Sequence, residues 1–191
     1  MNATERVRES LERLAGLVQE TATEHAETIA RFAARYAEAL KAGGTLWFAG
    51  NGGSAADAQH VATEYVVRYA RTRRALAAVA LTTDTSLLTA SGNDFGFDEV
   101  FARQIEALVR PPDILILHST SGESPNLLRA AQAAKAAGVA VLALLGRGGG
   151  PLRALVDHAL VVGSDETSRI QELHVAIEHV ICDLVERELE L

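Results

Sequence analysis

Hydrophobic positions along the chain change their spacing, and the changes divide it into helices and strands. In residues 4–41 apolar side chains recur every three or four positions, from Val7 to Leu40, as in amphipathic helices. We predict two helices here, or one helix with a break near Thr21 to Thr23. Since polar residues cover the other faces, residues 1–42 are predicted to form a helical extension that packs against another subunit. Simple covering of a sheet edge is the alternative.

Five short apolar runs follow the extension, and each is predicted to be a strand. They lack the alternation of half-exposed strands, and helical segments separate them, which is typical of a parallel sheet covered on both faces. We therefore predict one α/β domain over residues 1–191, with a doubly wound five-stranded parallel sheet flanked by helices. The runs are 46–49, 76–81, 113–117, 139–145 and 159–162.

The segments between these runs carry turn and helix signals. Residues 82–86 form a polar turn that can cap the next helix, and residues 91–97 are predicted to be a second turn before a helix at 98–108. A short helix is expected after Pro151. From about Glu166 a long helix is expected, with Gln171, Glu178 and His179 on its polar face.

Composition limits the classes of molecule that the protein is expected to bind. The net charge of -7 and the pI near 5.4 argue against a surface that binds nucleic acid, because phosphate neutralisation needs clustered Lys and Arg. The arginines at 68–74 are interpreted as a solvated loop. The single cysteine, Cys182, cannot form an internal disulfide, and no signal peptide or apolar run of membrane-spanning length is evident. We therefore expect a cytoplasmic protein with no membrane partner.

The first candidate site is the turn after the first strand, which reads Gly-Asn-Gly-Gly-Ser at residues 50–54. Backbone N–H groups at a glycine turn and helix start favour an anion, although the turn matches neither GxGxxG nor GxxxxGK[ST]. His60 and Glu64 lie four apart on the following helix and share a face, with Asp57 beside them. An ordinary turn and a surface pair are the alternatives.

The second candidate is the loop after the third strand, which reads Ser-Thr-Ser-Gly-Glu-Ser at residues 119–124. Four hydroxyls and several backbone donors meet at one helix start, where Pro125 occupies the first turn. Capping by Ser124 would account for one of these hydroxyls only. The loop is therefore predicted to bind a phosphate without a lysine or a metal.

Four segments together resemble the sugar isomerase (SIS) family, and within it the enzymes that isomerise seven-carbon sugar phosphates. The segments are GNGGSAADAQHVATE, GNDFGF, STSGES and RIQELHVAIEH, at 50–64, 92–97, 119–124 and 169–179. The resemblance implies the SIS fold and a ketose-to-aldose conversion through an enediol. It also implies a first step toward activated heptoses, such as those of lipopolysaccharide. A homotetramer whose N-terminal helices form a central bundle is implied as well.

The resemblance further implies roles for individual residues. The phosphate is expected to bind Ser119, Thr120, Ser121 and Ser124. The sugar is expected to contact Asn51, Gly52, Gly53, Ser54, Asn93, Asp94 and Gln171. One zinc ion per site is implied, with ligands His60, Glu64, Gln171 and His179. Glu64 and His179 are also the implied acid/base pair, an assignment that suits a carboxylate and an imidazole.

Helical geometry limits how these ligands can meet. Gln171 and His179 are eight residues apart, about 12 Å along a helix, so the site is predicted to lie where helices of different subunits converge. Two residues depart from the family pattern, Glu123 in the phosphate loop and Ser168 before the RIQE string. The alternatives are a non-catalytic SIS protein that binds a replication initiator, and an isomerase of another sugar phosphate such as a hexosamine or arabinose phosphate.

Overall fold

The protein's structure, a computed structural model that describes residues 1–190, alternates helices with strands after one long N-terminal helix. Within the described residues no helix has the length and hydrophobicity that crossing a membrane requires. The helices are α1 (Ala3–Lys41), α2 (Gly53–Val66), α3 (Thr85–Phe95), α4 (Ala102–Leu108), α5 (Pro125–Ala136), α6 (Leu152–Leu155) and α7 (Thr167–Glu188). The strands are β1 (Leu46–Gly50), β2 (Ala78–Ala80), β3 (Ile114–Ser119), β4 (Ala140–Leu145) and β5 (His158–Val161).

All five strands pair in parallel in the order β2-β1-β3-β4-β5, which confirms the predicted sheet. Alternate side chains point to opposite faces of the sheet, so the apolar runs build two cores. Phe48 and Ile116 pack with α1, α2 and α7 on what we call the α7 face. Ala49 and Leu117 pack with α4, α5 and α6 on the α5 face. This two-sided burial is why the strands are apolar throughout.

The strand order fixes where a ligand can bind. β1 and β3 are neighbours, yet α2 leaves β1 toward the α7 face whereas α5 leaves β3 toward the α5 face. The two chain segments separate at the carboxyl ends of these strands and open a crevice between them. Open parallel sheets bind ligands at such a topological switch point. Both candidate loops of the sequence, 50–54 and 119–124, begin there.

The structure corrects two local predictions. α1 is one unbroken helix. The Thr23 hydroxyl donates to the carbonyl of Gln19 in the same helix, so its hydrogen-bonding capacity is met without a break in the helix. Residues 91–95 belong to α3 and are not a turn. Asp84 caps α3 by accepting from the N–H of Leu87 at 2.9 Å, and the helix runs until Gly96, whose positive φ of 93° ends it.

One member of the arginine run departs from the solvated loop that we predicted, whereas Arg68, Arg71 and Arg74 are exposed as expected. The Arg73 side chain is 2% exposed and bonds Glu186, whose side chain is 1% exposed, at 2.9 Å. Glu186 also accepts from the backbone N–H groups of Tyr69, Ala70 and Arg71. Burial raises the pKa of Glu186, but these backbone donors and Arg73 outweigh it and lower the pKa below its ordinary value. The segment after α2 is thereby fastened to α7.

Replacing Glu186 by Gln is expected to weaken this fastening. A lowered pKa in the folded state stabilises the protein above the unfolded-state pKa, and this stabilisation is lost as pH falls through the folded-state pKa. Glu186→Gln should therefore lower the free energy of unfolding at pH 7 by about 2 kcal/mol, the typical value of hydrogen bonds to a charged group. It should also flatten the decline in stability below about pH 5. Urea unfolding from pH 3 to pH 8 measures both effects, and an unchanged pH profile would contradict the assignment.

Candidate active site

A cavity of about 320 Å³ occupies the crevice between β1 and β3. Both candidate loops line it, together with the start of α7. The lining residues are Asn51, Gly52, Gly53, Ser54, His118, Ser119, Thr120, Ser121, Ser124, Leu127, Thr167 and Gln171. The structure thus brings together every residue predicted from the two loops, and it adds His118, Leu127 and Thr167.

The hydroxyl loop is shaped by its own hydrogen bonds. Ser119 accepts from the N–H of Gly122 at 2.9 Å, and Ser121 accepts from that of Glu123 at 3.2 Å. Gly122 has φ +67°, and a Cβ there would lie 1.9 Å from the carbonyl oxygen of Gly149, so only glycine fits. Ser124 precedes α5 but makes no side-chain capping bond. Capping therefore does not account for its hydroxyl, which lines the cavity at a helix N-terminus suited to an anion.

The glycine turn is held against two neighbouring helices. Asn51 and Asn126 exchange two side-chain hydrogen bonds of 2.9 Å, which join the β1 turn to the first turn of α5. At Gly53 a Cβ would lie 2.5 Å from the side-chain amide of Gln171. The absence of a side chain at Gly53 therefore lets α7 approach the start of α2. Asn126 is buried outside the cavity lining and holds the cavity residue Asn51, a contact that the sequence analysis missed.

Three of the four predicted metal ligands meet on this single chain. The Nε2 atoms of His60 and His179 lie 2.9 Å apart, and His60 Nε2 lies 3.5 Å from Glu64 Oε1. Ligand atoms of all three residues lie within 4.8 Å of one another, and the His60 side chain is 49% exposed. Two imidazoles and a carboxylate are the donor set of many catalytic zinc sites, which keep a fourth position open. The residues present therefore fit a metal ion.

The remaining predicted residues do not join this cluster within one chain. Gln171 contacts Gly53 at the start of α2, whereas His60 and His179 meet about two turns further along both helices. Asn93 donates to Asp94 at 2.8 Å, and both are exposed at the end of α3, outside the cavity lining. Glu123 is exposed and does not line the cavity.

Glu178 is buried, contrary to the polar-face position that we predicted for it. Its Oε1 lies 2.9 Å from His118 Nε2 and accepts from the hydroxyl of Tyr36 at 3.1 Å. Both partners of the His118–Glu178 pair are fully buried. Glu178 directly precedes His179 on α7, and His118 directly precedes Ser119 on β3. The buried pair therefore connects α7, which carries part of the metal-ligand cluster, to the strand that leads into the hydroxyl loop. Helical periodicity alone could not find it, because Glu178 and His118 come from distant elements.

Other titratable groups around this pair respond to burial. Burial raises the pKa of Asp57, against the opposing influence of His118 and His60, and it lowers the pKa of His174 to about 3. His174 is therefore neutral at physiological pH. The His174 side chain is also fully buried.

Removing one member of the buried pair is expected to cost far more stability than replacing the whole group. His118→Ile leaves the Glu178 carboxylate without its closest partner in the core, which should cost about 3 to 5 kcal/mol. The triple variant Tyr36→Phe/His118→Ile/Glu178→Leu removes every polar member at similar volume and should recover most of that loss. Urea unfolding of both variants measures the difference. Equal stability of the single and triple variants would contradict a coupled pair.

Comparison with known proteins places this geometry in a family. The model of the SIS domain family matches residues 11–146. The chain is 49% identical to the phosphoheptose isomerase of Paramagnetospirillum magneticum, over 91% of this chain and 96% of that one. It is 53% identical to phosphoheptose isomerase 1 of Campylobacter jejuni, over 83% and 85% of the two chains.

Solved structures agree with the sequence comparison. The phosphoheptose isomerase of Neisseria gonorrhoeae is 42% identical and superposes with a TM-score of 0.92, over 97% of this chain and all of the other. That of Francisella tularensis has a TM-score of 0.94 at 35% identity. Since the family model covers most of the chain and relatives about half identical match most of their length, the chain belongs to the SIS domain family.

Proposed function

We propose that the protein converts sedoheptulose 7-phosphate to D-glycero-D-manno-heptose 7-phosphate. One observation carries the proposal: the His60, Glu64 and His179 cluster and the hydroxyl-lined cavity occur together in a chain whose relatives are phosphoheptose isomerases. A protein that merely bound a partner would not need both an acid/base pair and a cavity suited to a sugar phosphate. The product of this reaction differs from its substrate only in the positions of hydrogens.

The cavity supplies the binding half of the reaction. We assign the phosphate to the loop of Ser119, Thr120, Ser121 and Ser124, where hydroxyls and the N-terminus of α5 favour an anion. The sugar hydroxyls are assigned to the turn of Asn51, Gly52, Gly53 and Ser54, which faces this loop across the crevice. Binding the phosphate at one end fixes the reacting carbons at the other, which is how such sites gain rate from orientation.

Proton transfer is assigned to Glu64 and His179. The Glu64 carboxylate takes the proton from C1 of the ketose, the C1–C2 enediol forms, and a proton returns to C2 while the oxygen proton moves from O1 to O2. His179 serves the oxygens or C2, since an imidazole can both donate and accept near neutral pH. Glu64 and His179 belong to one cluster of ligand atoms, so both can reach one small substrate.

We assign one zinc ion to the same cluster. His60, Glu64 and His179 of one chain would hold it. Gln171, the fourth ligand that the family resemblance implies, lies about two turns away within one chain and would have to come from a neighbouring subunit. When bound, zinc would supply positive charge that polarises the substrate carbonyl. A carboxylate has two oxygens, so Glu64 can ligate with one and remain able to accept a proton with the other.

The proposal includes a homotetramer with sites at subunit junctions. α1 exposes Val7, Leu11 and Val18, and Val180 of α7 lies beside an apolar groove on the same side. A stripe of this kind favours burial against other helices. We also assign the exposed Asn93 and Asp94 to sugar binding, as the family resemblance implies. A cytoplasmic location belongs to the same proposal, and the only cysteine, Cys182, is free and buried.

Activity is tested by incubating purified protein with sedoheptulose 7-phosphate and following aldose formation by NMR, with added zinc and after chelation. We expect turnover that zinc supports. Glu64→Gln and His179→Ala should each lower kcat by at least about 100-fold, the lower range for loss of a general acid or base. Both variants should keep the oligomeric mass of the wild type.

Glu106→Gln is the matched control for Glu64→Gln. Glu106 lies on α4 at the opposite face of the sheet with a side chain 52% exposed, so its variant should be as active as wild type. Near-normal turnover of Glu64→Gln or His179→Ala would remove that residue from the acid/base pair. If wild type were inactive on this substrate but active on a hexosamine or arabinose phosphate, or bound a replication initiator instead, the proposed substrate would be wrong.

The tetramer is tested by light scattering coupled to size exclusion. Wild type should have a mass about four times the 20.3 kDa of one chain. Leu11→Glu places a charge on the exposed stripe of α1, where Leu11 is 60% exposed in the single chain, and should shift the mass to smaller species. Glu9→Gln, on the polar side of the same helix, should leave the mass unchanged. A monomeric wild type would refute the tetramer.

A further inference from the structure

The segment between α2 and β2 is fixed at one point although it contains no helix or strand. Residues 67–77 leave α2 and reach the sheet edge in irregular conformation. Three consecutive N–H groups, of Tyr69, Ala70 and Arg71, donate to the Glu186 carboxylate at 3.1, 3.3 and 3.1 Å. Since that carboxylate is buried in α7, the backbone at Tyr69 cannot move independently of α7.

Arg73 extends the same attachment to α2. Its guanidinium bonds Glu186 and also donates to the carbonyls of Tyr65 at 2.8 Å and Glu64 at 2.7 Å. These carbonyls belong to the last turn of α2, where carbonyls lack partners within the helix. One buried ion pair therefore ties the segment to both helices that carry the His60, Glu64 and His179 cluster.

The attachment places the Tyr69 ring on the His179 imidazole. The ring centroids lie 5.5 Å apart with an interplanar angle of 28°, a stacked arrangement. His179 also contacts His60, with ring centroids 5.1 Å apart and the two Nε2 atoms 2.9 Å apart. Glu186 follows His179 by seven residues, which is two helical turns. The Glu186 side chain and the His179 imidazole therefore lie on the same face of α7.

We propose that Tyr69 is a positioning residue that holds the His179 imidazole in the rotamer directed at His60 and Glu64. A histidine side chain turns about two bonds, and a ring stacked on its face restricts the second rotation. Mutating a group that orients a metal ligand commonly lowers metal affinity by about 10- to 100-fold, and we expect an effect of this order when Tyr69 is replaced. The proposal rests on the function proposed above, but the orientation itself can be measured without substrate.

A purely structural role for Tyr69 predicts a different result. Tyr69 is half-buried and packs against the core of the α7 face, so its loss would lower stability in any case. Packing alone, however, would leave the zinc affinity and kcat of the folded protein unchanged. Stacking depends on the ring and not on the hydroxyl, so phenylalanine should replace tyrosine in the positioning role.

The test compares Tyr69→Leu with Tyr69→Phe at a temperature where both are folded. Zinc affinity is measured with zinc alone by competition against a chromophoric chelator, and kcat and KM are measured with sedoheptulose 7-phosphate. For Tyr69→Leu we expect zinc affinity and kcat each to fall about 10-fold, the lower end for an orienting partner, with KM within about twofold. Tyr69→Phe should remain within about twofold of wild type in all three. Val67→Ala, an exposed change in the same segment, should match wild type.

Three outcomes would overturn the proposal. The first is a Tyr69→Leu protein with the zinc affinity and kcat of wild type. The second is a Tyr69→Phe protein as impaired as Tyr69→Leu, which would assign the effect to the hydroxyl. The third is a wild-type protein that does not bind zinc through this cluster. If wild type binds zinc but does not turn over the heptose phosphate, the proposed function fails, while the loss of zinc affinity in Tyr69→Leu still supports the positioning role.

Discussion

The adjacency of two parallel strands, β1 and β3, is the constraint on which the rest of the molecule depends. The helix after β1 crosses to one face of the sheet and the helix after β3 crosses to the other face. Neither helix therefore covers the gap between the carboxyl ends of these two strands. The glycine turn of β1 and the hydroxyl loop of β3 are left facing each other across the crevice. The starts of α2 and α5 therefore border one cavity, and helix N-termini favour an anion.

The α7 face combines a hydrophobic core with buried polar groups, and the combination serves the site. Two carboxylates of α7, Glu178 and Glu186, are buried and paired, one with His118 and Tyr36 and one with Arg73. Buried polar pairs of this kind add little net stability compared with apolar packing, but any arrangement that separates the partners is strongly penalised. They therefore fix α7 relative to α2 and β3, and the spacing of the His60, Glu64 and His179 cluster depends on that fixed relation.

The fold was largely predictable from the sequence because its signals are local. Continuous apolar runs predicted the parallel strands. The glycine turn at 50–54 and the hydroxyl loop at 119–124 predicted where a ligand site would lie, and helical spacing placed His60 beside Glu64. Predictions failed where tertiary contacts override local preference. Glycine, asparagine and aspartate at 92–94 are typical of a turn, but the helix that is capped at Asp84 continues through them to Phe95. An arginine run reads as solvated until a buried carboxylate 113 residues away binds one of its members.

The sequence by itself determined the fold class, the two cavity loops and the pairing of His60 with Glu64, because each depends on periodicity or on spacing within one element. The full set of four proposed metal ligands came only from the family resemblance. Only the tertiary structure decided which of them meet. It brought His179 to His60 across 119 residues and placed Gln171 about two turns away, against Gly53. It also supplied the partners of Glu178, Glu186 and His179 that no spacing rule encodes. The physical reason is that packing of α7 against α2 and the sheet, and not the local preference of any segment, sets the distance between side chains from separate elements.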